Sequence, residues 1–348
     1  MNGNIKEKLY WGISEETLSI EVTTQCNGDC MHCFVHAGVS ERSSLSIDLV
    51  KEIIAEGYNT GYRHLHITGG EPLLWEGLVV TLDYAFGVGY KKIYLNTNGR
   101  LLAEAVNSKL ATYDGLTISV SLDGPEAVHN RLRGEGSYRQ TVQGIEKALK
   151  AGIDLIIFSL ARKSLLPDLS HFVDDVYRKF PTIKYLTLIQ LIRVTDDGFP
   201  LSEELIEPED FLRLVQTISL LNLYGLRTNV KNNPLASIVS KLIDMPWVSH
   251  THPLYREGSM IVRANRNISL SHSSRVSFGK YAPGMIQKVL SSDEYQSAVS
   301  PDESICPSCS YTNLCRENGM VRPLEKYMDM HPEVPYCKRV LDKCGFRN

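Results

Sequence analysis

Short apolar segments recur along the chain, and each is followed by a stretch whose apolar residues have helical spacing. Runs rich in β-branched and aromatic residues, bounded by turn-forming residues, are typical of β-strands. Six such runs predict strands at residues 18–22, 65–67, 93–95, 116–120, 155–158 and 185–189.

The segments between these strands predict amphipathic helices, because their apolar residues recur every three or four positions. Three predicted helical faces consist of Ile47, Val50, Ile53 and Ile54, of Tyr138, Val142, Ile145 and Leu149, and of Leu169, Phe172, Val173, Val176 and Phe180. A further helix is predicted from Pro208, which suits a first helical turn, to a point before Gly225. Strands that alternate with helices predict an α/β fold with a parallel sheet, either doubly wound or a barrel.

Composition supports a globular protein and excludes some partners. The 348 residues, 43% of them hydrophobic, suffice for one large domain and a smaller one. Lys and Arg number 37 against 40 Asp and Glu, with no block of like charges, so neither a nucleic-acid nor a membrane partner is expected. No segment approaches the roughly 18 apolar residues of a membrane span, and the N-terminus resembles no signal peptide. We therefore expect a cytoplasmic protein.

Cysteine placement indicates two separate sites. Of eight cysteines, three lie at 26–33, none at 34–305, and five at 306–344. Without a signal peptide, such clusters favour metal or redox chemistry over disulfides.

The first cluster has the spacing Cys26-x3-Cys30-x2-Cys33, which places three thiolates on one short loop without a fourth. Three cysteines suit a [4Fe–4S] cluster with one iron left open. Tetrahedral zinc, with His36 as fourth ligand, is the alternative. The segment 68–72, Thr-Gly-Gly-Glu-Pro, follows the second predicted strand and has no role in a zinc knot.

Together, the cysteine triplet and the Gly-Gly-Glu-Pro segment resemble the radical S-adenosylmethionine (SAM) enzymes. The resemblance implies that the open iron chelates SAM and that reduction yields a 5′-deoxyadenosyl radical. Gly69 and Gly70 would permit close backbone approach to the ligand and positive φ. Glu71 would meet the SAM ammonium group, and Pro72 would stiffen the turn. His32 would place its backbone near adenine, or serve only in packing.

The resemblance also selects the fold: an incomplete (β/α)6 TIM-like barrel with a small cysteine-rich C-terminal iron–sulfur domain, and chemistry at the C-terminal strand ends. It implies an N-terminal extension at 1–17, the partial barrel at 18–245 and the second domain at 246–348. The helix after Pro208 would close the barrel. His250, His252 and His272 lie near or beyond the boundary and are expected in surface or packing roles.

Polar residues follow the predicted strands and extend the expected SAM site. By resemblance, Asn98 and Ser121 are candidate SAM contacts, and Arg162 would pair with the methionine carboxylate. Arg133 would close the SAM site or cap surface charge. Asn-Gly and Asp-Gly-Pro are also ordinary turn sequences. Residues 154–162 lack the Gly-x-Ile-x-Gly pattern of many relatives, so no residue is assigned to adenine.

The C-terminal cysteines resemble part of a SPASM domain, which binds auxiliary clusters. The expected ligands of one auxiliary [4Fe–4S] cluster are Cys306, Cys309, Cys315 and Cys337, with Cys344 as an alternative fourth ligand. A second auxiliary cluster is not expected, because Gly319 occupies a position where that cluster needs cysteine. A four-cysteine zinc ribbon is the alternative.

Relatives of this architecture modify peptides, activate sulfatases or process cofactors. The resemblance therefore implies oxidative modification of a peptide or protein side chain, with maturation of a small molecule or cofactor such as a haem precursor as the alternative. A zinc-stabilised scaffold is the non-enzymatic alternative. A flavodoxin or ferredoxin would donate electrons. The first 17 residues are too short for a leader-binding domain, so a separate leader-binding protein is expected for a peptide substrate.

Overall fold

The computed structural model describes residues 17–33, 43–106, 109–191, 200–231, 235–245, 248, 258–272, 276–299, 339–342 and 345. All five C-terminal cysteines lie outside these residues, as do His36, His250 and His252. The predicted auxiliary cluster therefore stays a prediction, as does the extension over residues 1–16, whereas Thr17 begins the first strand. No helix in the described part of the chain is both long and apolar enough to cross a membrane.

The described strands form a single open sheet. The strands are β1 (Thr17–Glu21), β2 (His64–Thr68), β3 (Lys92–Thr97), β4 (Leu116–Ser121), β5 (Asp154–Ala161), β6 (Tyr185–Gln190), β7 (Thr228–Lys231), β8 (Met260–Val262) and β9 (Ile268–Ser269). Their order is β7-β6-β5-β4-β3-β2-β1-β8-β9. Every pairing is parallel except that of β8 with β9. All six predicted strands are confirmed, and β7 to β9 were not predicted.

Helices connect the strands. They are α1 (Ile47–Thr60), α2 (Leu78–Val88), α3 (Leu102–Ala105), α4 (Glu126–Arg133), α5 (Ser137–Lys150), α6 (Leu169–Lys179), α7 (Pro208–Leu223), α8 (Leu235–Leu242), α9 (Met285–Leu290) and α10 (Asp293–Val299). The four predicted helices correspond to α1, α5, α6 and α7. The α1 helix begins at Ser46, whose hydroxyl accepts a hydrogen bond from the Leu49 amide, and ends at Gly61 with φ of 119°.

The two faces of the sheet differ in polarity because successive side chains of a strand point to opposite sides. One face is apolar and packs with the buried helix faces into one continuous core, with members such as Ile20, Ile67, Ile118 and Ile157. The other face carries polar residues in register across the strands. On this face Ser121 of β4 is in register with Phe158 of β5, Phe158 with Thr187 of β6, and Thr187 with Asn229 of β7. This inner face is the one available to a polar ligand.

The segment after residue 258 is joined to the same sheet. Strand β8 pairs in parallel with β1, although it lies inside the predicted second domain. The carboxylate of Glu56 on α1 accepts hydrogen bonds from the Tyr281 hydroxyl at 2.7 Å and from the amides of Gly284 at 3.1 Å and Ile286 at 2.7 Å. These contacts attach the segment leading into α9 to the first helix of the fold.

Candidate functional site

The loop that follows β1 carries the three N-terminal cysteines and is fixed at two points. The Met31 amide donates to the carbonyl of Leu132 in α4 at 3.1 Å. The Arg100 guanidinium donates to the carbonyl of Asn27 at 2.6 Å. The loop is thus held between the C-terminal end of α4 and the turn that follows β3.

Hydrogen-bond donors surround the cysteine sulfurs, and all three cysteines are free thiols. The Gly28 amide lies 3.3 Å from the Cys26 sulfur, and the Asn98 side-chain amide lies 3.8 Å from it. The Arg133 guanidinium lies 3.8 Å from the Cys30 sulfur. Burial raises the pKa of the Cys26 and Cys30 thiols. Without a bound metal these thiols stay protonated at neutral pH, so metal binding must release their protons.

The donor set of this loop suits an iron–sulfur cluster. Among the described residues, no three His, Cys, Asp or Glu side chains are placed to hold a metal ion. Tetrahedral zinc needs all its sulfur ligands about 2.3 Å from one point. The sulfurs that ligate a [4Fe–4S] cluster bind separate irons and need not converge. Cys26, Cys30 and Cys33 are three free thiols on one cavity, with Asn98 and Arg133 near two of the sulfurs, and this donor set is the kind that holds a cluster.

The glycine segment after β2 is packed against the chain that leads into the cysteine loop. The Gly70 amide donates to the carbonyl of Thr23, and the Glu71 amide to that of Gln25, both at 2.7 Å. A Cβ on Gly69 would lie 2.5 Å from the Thr23 carbonyl oxygen, and one on Gly70 would lie 2.3 Å from that of Gln25. Neither glycine has positive φ. The expectation of positive φ is wrong, and the close approach is to the protein's own backbone.

We expect Gly70→Ala to shift the cysteine loop, because the clash is with backbone atoms that cannot rotate away. The free energy of unfolding should fall by about 1–3 kcal/mol, and iron binding should weaken. Urea unfolding and iron content measure the two effects. Gly87→Ala is the matched control, because a Cβ there meets no atom within 4 Å on the exposed side of α2. It should stabilise the helix by about 0.5–1 kcal/mol. Equal losses in both variants would contradict this role for Gly70.

Glu71 is fully buried, and its carboxylate is bonded within the protein. It accepts hydrogen bonds from the Leu73 amide at 3.0 Å, the Thr97 hydroxyl at 2.8 Å and the Asn98 amide at 2.8 Å. Burial raises the pKa of Glu71 despite these donors. The side chain therefore ties the glycine segment to the end of β3. Pro72 is also buried and begins a 3₁₀ turn, Pro72–Leu74.

Asp123 organises the turn that follows β4. Its carboxylate forms an ion pair with Arg133 and accepts a hydrogen bond from the Leu160 amide at 2.8 Å. Its carbonyl accepts from the Arg162 guanidinium at 2.9 Å, and its amide donates to the His129 ring at 3.2 Å. Burial opposes ionisation of Asp123, yet the Arg133 charge holds its pKa well below the usual range.

The histidines beside this pair are neutral. Burial, aided by the Arg133 charge, lowers the pKa of His32 to about 4. Burial also lowers the pKa of His129 to about 4.

The side chain of Arg133 is only 15% exposed, so it is not a cap for surface charge.

A cavity of about 230 Å³ opens beside the cysteine loop at the C-terminal ends of the strands. The predicted site residues that line it are Cys26, Cys30, Cys33, His32, Gly69, Gly70, Asn98, Ser121 and Arg133. Glu71, Pro72 and Arg162 do not line it. Arg162 is 2% exposed, and its guanidinium donates to the carbonyls of Asp123 and Leu160, which places it behind the wall.

The cavity wall also contains residues other than the predicted SAM contacts. His272, after β9, lies on its wall, and its ring nitrogen is 3.0 Å from the carboxylate of Glu21 on β1. Burial opposes ionisation of Glu21, but the His272 contact leads to a net lowering of its pKa. The surface or packing role expected for His272 stays a prediction, although the side chain lies at the cavity. Asn96, Ser119 and Phe158 of the inner face also line the cavity.

Comparison with known proteins places the chain among related sequences. Residues 20–162 match the family model described as the Radical SAM superfamily. Over 221 residues the chain is 31% identical to the mycofactocin maturase MftC of Mycolicibacterium smegmatis, covering 60% of this chain and 56% of that protein. Over 161 residues it is 31% identical to the AdoMet-dependent heme synthase of Oleidesulfovibrio alaskensis, covering 45% and 40%. The chain thus spans about half the length of the curated relatives it matches.

A solved structure is similar in fold to most of the chain. Native anSMEcpe with bound AdoMet (SAM) and the Cp18Cys peptide superposes with a TM-score of 0.69 at 15% identity. The superposition covers 94% of this chain and 95% of that one. At this identity the likeness concerns the fold, which is an α/β fold built on a parallel sheet.

Proposed function

We propose that this chain is a radical SAM enzyme, which reductively cleaves SAM to a 5′-deoxyadenosyl radical that abstracts hydrogen from a substrate. The match of residues 20–162 to the Radical SAM superfamily model supports this proposal. Cys26, Cys30 and Cys33 would hold the [4Fe–4S] cluster. When bound, the cluster supplies the electron and an open iron for SAM.

One observation carries the proposal: the three thiols open onto the same cavity as the glycine segment and the polar strand ends. Asn98, Ser121 and Arg133 provide hydrogen-bond donors that suit the carboxylate and hydroxyl groups of SAM. Gly69 and Gly70 fix the distance between this wall and the cysteine loop. In this reading Glu71 and Arg162 act indirectly, by holding the strand ends that carry the SAM contacts.

The proposed substrate is a peptide or protein side chain. Two similarities support it, since MftC is named a maturase and the anSMEcpe structure contains a peptide. The similarity to a heme synthase supports the alternative, maturation of a small molecule or cofactor. The Gly-Gly-Glu-Pro segment, which has no role in a zinc knot, argues against a zinc-stabilised scaffold.

Two further parts of the proposal concern electron supply. Cys306, Cys309, Cys315 and Cys337, with Cys344 as alternative, would hold one auxiliary [4Fe–4S] cluster that relays electrons or supports the fold. A flavodoxin or ferredoxin would reduce the SAM-binding cluster. For a peptide substrate we also propose a separate leader-binding protein as a partner.

The test is anaerobic reconstitution with iron and sulfide, followed by SAM and dithionite. We expect 5′-deoxyadenosine and methionine by mass spectrometry, and about eight irons per chain if both clusters form. About two zinc ions per chain with no sulfide would reject the enzyme and support the scaffold. SAM cleavage would also be rejected if the reconstituted protein contains reducible iron but forms no 5′-deoxyadenosine, with or without candidate peptides.

A further inference from the structure

A lysine ends strand β7 on the inner face of the sheet. Lys231 is in register with Ile189 of β6, which lines the cavity. Its ammonium nitrogen lies 4.8 Å from the ring centre of Phe158, another lining residue. Within the described parts of the chain, the ammonium group of Lys231 has no ion pair or hydrogen bond. An aromatic face attracts a cation but does not neutralise it.

Two buried polar side chains lie on the same face as this lysine. Asn229 precedes Lys231 by two positions and is 1% exposed, and neither atom of its amide group has a hydrogen-bond partner among the described residues. Thr187, in register with Asn229, is also 1% exposed, and its hydroxyl likewise has no such partner. Buried polar groups in folded proteins are nearly always hydrogen-bonded. The three side chains therefore indicate a polar ligand.

The charged side chains nearby indicate the charge of that ligand. Asp123, in the cavity wall, is paired with Arg133, and Glu21 of the inner face is paired with His272. Burial, with a contribution from the Lys231 charge, lowers the pKa of His66 to about 3, so His66 is neutral. The described acidic groups of this face are thus already paired, and Lys231 is left with its positive charge.

We propose that Lys231, Asn229, Thr187 and Phe158 form a subsite that binds a carboxylate of the substrate. The proposal rests on the proposed function, because it takes the cavity as the place where the substrate meets the radical. The ammonium group binds the carboxylate, and the Asn229 amide can donate to and accept from a neighbouring peptide unit. The carboxylate is either a peptide C-terminus or an acidic side chain.

The protonation state of Lys231 is consistent with this role. Burial lowers the pKa of Lys231 to about 8, so the ammonium form still predominates at neutral pH. A carboxylate bound beside it would raise that pKa again, because an opposite charge favours the charged form.

The test measures binding to the reconstituted full chain with SAM and without reductant. The probes are three blocked dipeptides: acetyl-Ala-Ala with a free C-terminal carboxylate, acetyl-Glu-Ala amide and the neutral acetyl-Ala-Ala amide. Titrations followed by saturation-transfer NMR give their affinities. We expect at least one acid to bind about tenfold more tightly than the neutral amide. The acid that binds more tightly identifies the source of the carboxylate.

Substitutions test whether the preference for a carboxylate depends on Lys231. Lys231→Met should reduce the affinity of the preferred acid to that of the neutral amide, whereas Lys231→Arg should keep most of the preference. Lys241→Met makes the same chemical change at an exposed position of α8 and should leave all three affinities unchanged. Lys231→Met should also raise the melting temperature, because it removes a charge that is desolvated without a described partner.

Equal binding of acids and amide, no binding of any probe, or a preference that survives Lys231→Met would each overturn the subsite. So would a lower melting temperature for Lys231→Met, which would assign the lysine a structural role. The measurement does not depend on radical chemistry. A carboxylate preference in a protein that never forms 5′-deoxyadenosine would keep the subsite and reject the proposed function, and the reverse result would do the opposite.

Discussion

Replacing Cys26, Cys30 and Cys33 together by Ala should remove about four irons per chain and all 5′-deoxyadenosine formation. The reason is geometric as well as chemical. The three sulfurs line one cavity, and Asn98 and Arg133 lie 3.8 Å from two of them. Among the described residues, no group of three or more His, Cys, Asp or Glu side chains offers an alternative site for a single metal ion. Iron analysis and mass spectrometry of reaction products measure both effects.

The control for this experiment is Met31→Leu, a change within the same loop at a side chain that is 40% exposed. It should leave iron content and SAM cleavage close to those of the unchanged protein. A second variant with Cys306, Cys309 and Cys315 replaced by Ala should remove the other four irons or so, if the auxiliary cluster exists. SAM cleavage by the variant lacking all three N-terminal cysteines would refute the assignment of the site.

The sequence predicts most of the sheet because strands β1 to β6 are long enough to contain a recognisable run of strand-forming residues. β1 to β6 each contain a run of apolar and β-branched residues between turn residues, and all six were predicted. β7, β8 and β9 have two to four residues each and leave no such pattern. Helix α2 was missed for a different reason: Leu78–Val88 is apolar on most sides and shows no helical period.

The sequence predicted those site residues that belong to short local motifs. It could not predict side-chain orientations or long-range contacts, which tertiary packing determines. Cysteine spacing and the paired glycines identified the cavity wall. The sequence could not show which of two arginines reaches the cavity, because Arg162 turns toward backbone carbonyls behind the Asp123 turn. Nor could it join His272 to Glu21, which are 251 positions apart, although the polar positions alternating with apolar ones in β1 hinted at a polar inner face.

The second large effect concerns Asp123, whose substitution by Asn should destabilise the fold by about 3–5 kcal/mol. The carboxylate is fully buried, and its removal leaves the Arg133 charge without its partner beside the cysteine loop. The Leu160 amide also loses a charged acceptor. Urea unfolding of the iron-free and reconstituted proteins separates the loss of fold stability from the loss of the cluster.

The effect should depend on pH with a definite sign. The folded-state pKa of Asp123 lies below its unfolded value of about 3.9, so its stabilisation is present above that pH and is lost as pH falls toward the folded value. The difference in unfolding free energy between the unchanged protein and Asp123→Asn should therefore shrink below about pH 4. The raised pKa of Glu71 has the opposite effect, but it is common to both proteins and cancels in the difference.

A double-mutant cycle with Arg133→Met distinguishes the ion pair from the other contacts of Asp123. Each single change leaves one buried charge unpaired, whereas the double change removes both, so the double variant should lose less stability than the sum of the single losses. Additive losses would mean that the backbone contacts of Asp123, and not the Arg133 pair, hold the turn. The double variant should still bind less iron than the unchanged protein, because the Cys30 sulfur then lacks the guanidinium that lies 3.8 Å from it. Stability recovered without recovery of iron would thus assign Arg133 two separable roles, in the fold through Asp123 and at the proposed cluster through Cys30.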